Sequence, residues 1–534
     1  MSQPKRKEET VGKQMAADEA IAYTLNETGI TKVFTSNDTI SSLISKLNEY
    51  KIDVTIAPTM RTALLMADTY SRSSGNAGTV IAMPGSSLLE GMDIIAQAFV
   101  DSIPLFMIGT IRSYRDVSKS RIGELRTNED VPFMLSAVTK VRERTVTIEE
   151  ITTTLEKAYK DAVSNRPRPV YAEVAEDLFK LKGYPLAGSK QIPEKKTPDK
   201  NSVLKTAELL INAKNPVIIA GYGVLVANAW NELKTLAELL DVPVISTIKA
   251  KGAFPASHEL YAGEALGVVG TSATNYLLEN ADVILALGTR FGQLSFGGWS
   301  APFKGLLVHN NVDGEELGKV YVPHLPAVAD TGLFLKELLN SLKDKIKEKR
   351  DTGKREMLKK LKVQKEMKTH DGIWPHDIMN EISKISFDTI YVDISSTTID
   401  MIRLPIDKPR GWVTSTSIIS KGLSIAGVLE NEKSIGVTDV YTFMNYQGVI
   451  PNFIKGTLIV VNDHGISRIN VTEGDSPFIE KTQRSEEPKV PELPGAEKVE
   501  KGQELEKVLK DTGTRIIIVE LDKKFESAVL PVKG

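Results

Sequence analysis

The sequence predicts an α/β protein made of three doubly wound parallel-sheet domains. Three observations carry this. Short β-branched runs alternate with amphipathic stretches along the chain, the alternation restarts twice after polar or charged interruptions, and 534 residues are too many for one hydrophobic core.

In the first series, TKVFTS, GTVIAM, PLFMIG and PVYAEV are separated by helix-like stretches. That is the pattern of a parallel sheet with helical crossovers, and it defines a first domain over 1–187. Residues 188–201, containing KQIPEKKTPDKN, are rich in Lys and Pro and predict a linker. A second series, NPVIIAGYG, VPVIST, DVILALG and GLLVHNN, fills a domain over 202–342. The highly charged KDKIKEKRDTGKREMLKKLKVQKEMK that follows favours helix and predicts a solvated connecting helix over 343–370. A third series, DTIYVDIS, KSIGVTD, GTLIVVND and TRIIIVELD, makes a last domain over 371–534.

Composition narrows the partners. The 67 Lys and Arg nearly balance 69 Asp and Glu, so no strong field is available for nucleic acid or an anionic membrane, and small molecules fit better. Cysteine is absent, which excludes disulfides, thiolate nucleophiles and Cys-based metal centres; any metal must sit on oxygen or imidazole. The opening MSQPKRKEETVGKQ is polar and lacks the apolar core of a signal peptide, and no apolar run reaches membrane-spanning length. The expectation is a cytoplasmic protein. Of the six histidines, only His464 has a suggestive position, and a lone histidine is more often structural.

In the middle series, Gly221 and Gly223 follow an apolar strand, so a tight turn there would let a ligand approach the backbone at a helix start. The third glycine of the dinucleotide fingerprint is missing, and a two-glycine turn is more often only a turn. The surrounding order of VPVISTIKAKGAFP, GVVGT, ALGTRF and VHNNVD resembles the central domain of acetolactate synthases, members of the thiamine-diphosphate enzyme superfamily. That resemblance implies an FAD-holding domain whose contacts match Gly221, Gly223, Gly288 and Arg290. Arg290 would pair with a pyrophosphate through its fork of donors. The alternatives left open are an adenine nucleotide, an interface role for Arg290, and no ligand.

The flanking series carry the same resemblance. ALLMADTYSRSSGNAGTVIAMPGSS and VDSIPLFMIG are similar to the family's pyrimidine-binding domain, and SIGVTDVYTFMNYQGV with GTLIVVNDHGIS to its diphosphate-binding domain. The implied cofactors are thiamine diphosphate and Mg²⁺, with Asp439, Asp463 and the carbonyl of Gly465 as metal ligands. Four departures accompany the match. Met60 stands where the family has the glutamate that assists proton transfer, and a thioether moves no proton. Thr438 and Val440 replace both glycines around Asp439, which narrows the backbone approach to a phosphate. Asp463 replaces an asparagine, and Lys421 takes the place of a large apolar side chain. The two acids also admit a metal-free role.

Three functions follow as hypotheses. One is an enzyme that decarboxylates a 2-oxo acid such as pyruvate and ligates the product to a second carbonyl compound. Another is a noncatalytic paralogue acting as an oligomer subunit, regulator or structural protein. The third is a nucleotide or acyl-CoA binder using the middle domain alone. The resemblance also implies a homodimer or tetramer, because the family's cofactor lies between domains of different chains.

Overall fold

The computed structural model describes residues 12–37, 39–113, 116, 119–120, 123, 125–188, 193–301, 303–343, 345–362, 372–446, 448, 454–464, 495–510 and 516–523. The chain forms two compact units, one holding residues 1–194 and 417–420, the other 195–416 and 421–534. The first unit contains one six-stranded sheet and the second unit two, and every strand pair is parallel.

The first sheet uses β1 (Lys32–Ser36), β2 (Asp53–Ala57), β3 (Gly78–Ala82), β4 (Leu105–Ile111), β5 (Arg142–Thr145) and β6 (Val170–Ala175). Their order across the sheet is β2-β1-β3-β4-β6-β5. The second is built from β7 (Pro216–Ala220), β8 (Val244–Ser246), β9 (Tyr261–Glu264), β10 (Val283–Leu287), β11 (Leu306–Asn311) and β12 (Leu325–Val328), in the order β12-β11-β10-β7-β8-β9. The third comprises β13 (Thr389–Val392), β14 (Trp412–Thr414), β15 (Ser434–Asp439), β16 (Thr457–Asn462), β17 (Ala496–Val499) and β18 (Ile516–Glu520), ordered β14-β13-β15-β16-β18-β17. Each order reverses beside its first strand, the mark of a doubly wound sheet.

Alternation along the strands shows how both faces are covered. In the second sheet Ile218, Ala220, Leu285, Leu287 and Val308 pack into one core, while Val217, Ile219, Ile284, Ala286 and Leu307 pack into another. Successive residues of a strand point to opposite faces, so two cores on alternating residues mean a sheet buried on both sides. This is why the internal strands read as continuous apolar runs.

The predicted linker ends where Asp199 caps the helix Lys200–Asn212, its side chain accepting the Ser202 N–H at 2.8 Å. The connecting helix expected over 343–370 is corrected. One helix ends at Lys343, and the next covers only Lys354–Leu361. Gly353 takes the left-handed conformation at φ +74° and donates its N–H to Asp351, which stops a helix from running through. This segment is mostly exposed but is pinned at one point: Thr352 donates its N–H to Asp241 at 2.7 Å, and Arg355 pairs with the same buried carboxylate at 2.8 Å. Residues 363–371 lie outside the described part.

The motifs that carried the resemblance in the first series have a scaffold explanation. Asp68 of MADTYSR lies one helical turn before Arg72, whose guanidinium grips it at 2.7 and 3.2 Å and reaches Asp101 of VDSIP at 2.9 Å. All three side chains are buried, so this is a cationic clamp between two carboxylates inside the first unit.

Within the second unit, IKAKGAFP plays the matching part. Lys251 is fully buried; its ammonium donates to the carbonyls of Ile402 and Leu404 and lies 4.8 Å from the centre of the Trp412 ring. Arg403 pairs with Glu264 at 3.0 Å. These contacts join the second sheet's domain to the third.

Candidate functional site

In open parallel sheets, ligands gather at the carboxyl edge where the strand order reverses. The second sheet brings three of the predicted glycines together there. Leu287 sits opposite both Ala220 and Asn310, which sets Gly288 beside Gly221, and Gly223 donates its N–H to the Gly288 carbonyl at 3.0 Å. A Cβ on Gly221 would stand 2.5 Å from the Gly288 oxygen, and one on Gly223 2.7 Å from the Gly288 Cα. Close approach of backbone to backbone therefore accounts for all three glycines. A helix starts directly after Gly221, as the sequence suggests, but Tyr222–Val226 is only one short turn. Arg290 lies two residues beyond Gly288 and is half-buried. Gly288 also has φ +58°, so Gly288→Ala meets both a strained backbone and a clash. We expect about 2–4 kcal/mol of lost stability in denaturant unfolding.

The third sheet gathers the acids. Val392 pairs with Val437, and Asp439 with Val461, so Asp393, Asp439 and Asp463 stand at the carboxyl ends of three neighbouring strands. All three are buried. Asp393, which motif reasoning missed, receives the N–H groups of Gly422 and Leu423 at 2.9 and 3.0 Å on one oxygen. On its other oxygen it accepts from the Ser424 N–H and hydroxyl, and from Thr438 at 3.3 Å. Burial pushes the Asp393 carboxyl up, against the Ser424 hydrogen bond, with Asp439 adding to the rise. A carboxylate at the end of an apolar strand, the Asp of YVDIS, was the available signal.

Asp439 accepts from the Thr442 N–H and hydroxyl at 2.9 and 3.0 Å, and the Lys421 ammonium lies 3.0 Å from its Oδ2. Burial alone would raise its carboxyl, but the Lys421 charge and the Thr442 donors outweigh burial and hold it below the ordinary value. Thr438 and Val440 are fully buried. The strand ends at Asp439 and a seven-residue helix begins at Val440. His464 turns toward the end of β18, with Nε2 3.1 Å from the Leu521 carbonyl and 3.4 Å from Glu520. Among the described residues no group of three His, Asp or Glu is placed to hold a metal; Gly465 lies outside the described part. An Mg²⁺-bound diphosphate does not fit this edge as it stands, because Asp439 is already bonded to a lysine.

Met60 opens the helix Met60–Ser74 just past the carboxyl end of β2, behind the Thr59 cap, and is 1% exposed. Its side chain is packed inside the first unit. In the same unit a cavity of about 20 Å³ lies among Ser86, Thr110, Arg112, Thr127, Asn128 and Glu173. That is room for roughly one water. Burial raises the Glu173 carboxyl, with Arg144 opposing at 2.8 Å.

Comparison with known proteins agrees with the three-sheet architecture. Residues 15–130 match the model of the thiamine pyrophosphate enzyme N-terminal TPP binding domain, and residues 203–338 match that of the thiamine pyrophosphate enzyme central domain. The chain is a member of the thiamine-diphosphate enzyme superfamily. Within it, the sequence is similar to acetolactate synthase large subunits. A probable acetolactate synthase large subunit of Methanocaldococcus jannaschii is 30% identical over 285 residues, 52% of this chain and 47% of that protein. The large subunit of acetolactate synthase isozyme 3 of Escherichia coli is 27% identical over 397 residues, 71% of this chain and 68% of that protein. The large subunit from Buchnera aphidicola of Schizaphis graminum is 27% identical over 427 residues, 76% and 70% of the two chains. No helix of the described residues is long and apolar enough to cross a membrane.

Proposed function

We propose that this chain is an acetolactate-synthase-like protein whose ancestral reaction is decarboxylation of a 2-oxo acid, pyruvate in the first instance, with ligation of the product to a second carbonyl compound. Support comes from the order of the three sheets, the two matched segments and the names of the relatives. Thiamine diphosphate, Mg²⁺ and an FAD or adenine nucleotide near Gly221 and Arg290 belong to that proposal. So do a cytoplasmic location, a homodimer or tetramer, and a partner subunit.

A second function, a noncatalytic paralogue serving as oligomer subunit, regulator or structural protein, is favoured by one specific observation. The Lys421 ammonium is bonded to Asp439, where the ancestral chemistry requires a metal. Met60 adds to it, since no proton can pass through a thioether. Calorimetry with thiamine diphosphate and Mg²⁺, paired with an acetolactate assay on pyruvate, separates the two. The expected result is weak cofactor binding and no acetolactate above the protein-free control. Met60→Glu alone should add no activity and should lower stability, since it buries a carboxylate at a 1%-exposed position. Tight cofactor binding with turnover by the unaltered protein would establish the enzyme and remove the paralogue. Light scattering addresses assembly: a stable particle at the chain mass of 58.6 kDa would end the oligomer proposal.

A further inference from the structure

The bond between Lys421 and Asp439 is built by the backbone around it. The Tyr446 hydroxyl donates to the Lys421 carbonyl at 2.8 Å. Gly422 follows at φ +102°, and the Tyr446 ring fills the space where a Cβ at 422 would stand, 2.6 Å away. Gly422, Leu423 and Ser424 give their N–H groups to Asp393. The segment carrying Lys421 is therefore anchored on both sides, and its ammonium is delivered to Asp439 rather than resting there as a flexible surface arm. The lysine side chain is 34% exposed, whereas that of Asp439 is 4% exposed, so the contact lies at the mouth of the edge.

Charge bookkeeping gives the contact its meaning. Asp393 is met by backbone N–H and hydroxyl donors, all neutral, and Asp439 likewise has Thr442. Lys421 supplies a full positive charge to the buried Asp439. Buried carboxylates on adjacent strands repel, and a cation between water and the acids relieves that repulsion.

We propose that the Lys421 ammonium is a built-in replacement for a divalent cation at the carboxyl edge of the third sheet, so that this edge folds and stays neutralised without metal. The inference deepens the noncatalytic function above and rests on it. Its test uses the full chain and no thiamine compound, so its outcome is separate from the acetolactate assay.

Mn²⁺ is the probe, with binding followed by the electron paramagnetic resonance of the free ion and by calorimetry. The unaltered protein should show no saturable Mn²⁺ site below about 1 mM, the weak end of protein sites for hard divalent cations. Its melting temperature should be the same in Mg²⁺ and in EDTA. Lys421→Met should bind Mn²⁺ at least about tenfold more tightly than the unaltered protein, because the acids lose their resident charge. The added change Asp439→Asn should abolish the gain. Lys421→Arg, which keeps the charge, should stay indifferent to Mn²⁺. Circular dichroism checks folding, and Lys421→Gln takes the place of the Met variant should that one not fold. Mn²⁺ binding by the unaltered protein that Asp439→Asn removes would overturn the proposal. So would a folded Lys421→Met or Lys421→Gln chain that binds Mn²⁺ no better than the original.

Discussion

Arg72→Leu is expected to cost the first unit about 3–5 kcal/mol, the range for removing one partner of a buried ion pair. The loss follows from what stays behind. Asp68 and Asp101 are each 0% exposed at the side chain, and without the guanidinium two carboxylates face each other away from water. Arg72→Lys should recover only part, since a single ammonium cannot reproduce the grip on both Asp68 oxygens together with the bond to Asp101. Replacing all three residues with apolar ones should recover most of it, because the desolvation of the charges is removed together with their attraction. Urea unfolding followed by circular dichroism tests the series. A triple variant no more stable than Arg72→Leu would show that the clamp's worth lies in packing instead.

Lys251→Met should give an effect that grows with pH and becomes large in alkali. Burial brings the Lys251 ammonium down from 10.5 to about 8, against the pull of Glu264. Between those values the unfolded chain holds a proton that the folded chain has released, so stability from this group rises as pH climbs from about 8 toward 10.5. The full span corresponds to roughly 3 kcal/mol. At pH 7 the Met variant loses two hydrogen bonds to carbonyls and a ring contact but also sheds a buried charge. The net loss there is about 1–3 kcal/mol. At pH 10 the folded lysine is neutral and still donates to the carbonyls of Ile402 and Leu404, so the gap between original and variant should widen. Unfolding midpoints at pH 7, 8, 9 and 10 measure it; a gap that stays constant or narrows would refute the linkage.

What could be read from the sequence, and what could not, divides along one physical line. All twelve strand segments named from β-branched runs are internal strands of the three sheets. The six missed strands, β2, β5, β9, β12, β14 and β17, are the six edges. An internal strand is covered on both faces and so reads as a mostly apolar run, whereas the buried edges β9 and β14 are only four and three residues long. An edge strand such as RERT at β5 or AEKV at β17 meets water, and its pattern is interrupted by charge. The candidate site divides the same way. Asp439 and Met60 can be singled out by counting along motifs, because motif spacing is local. The Lys421 to Asp439 contact needs β15 to lie beside β13 and the loop before Leu423 to fold back over both, and no spacing in the sequence encodes that adjacency. Gly221, Gly223 and Gly288 were grouped from the motif order, and their close packing on one another became visible only in the structure.

The edges carry one more consequence. Of the six, β9 and β14 are buried throughout. The other four hold a proline or charged residues: Asp53 on β2, Arg142 to Arg144 on β5, Pro326 on β12, Glu497 and Lys498 on β17. Proline offers no N–H to a neighbour, and an ion desolvated against an incoming strand is penalised, so none of the three sheets invites a fourth party to extend it. Self-association of this chain by runaway strand addition is disfavoured. If copies pair, helices and loops are the surfaces expected to meet.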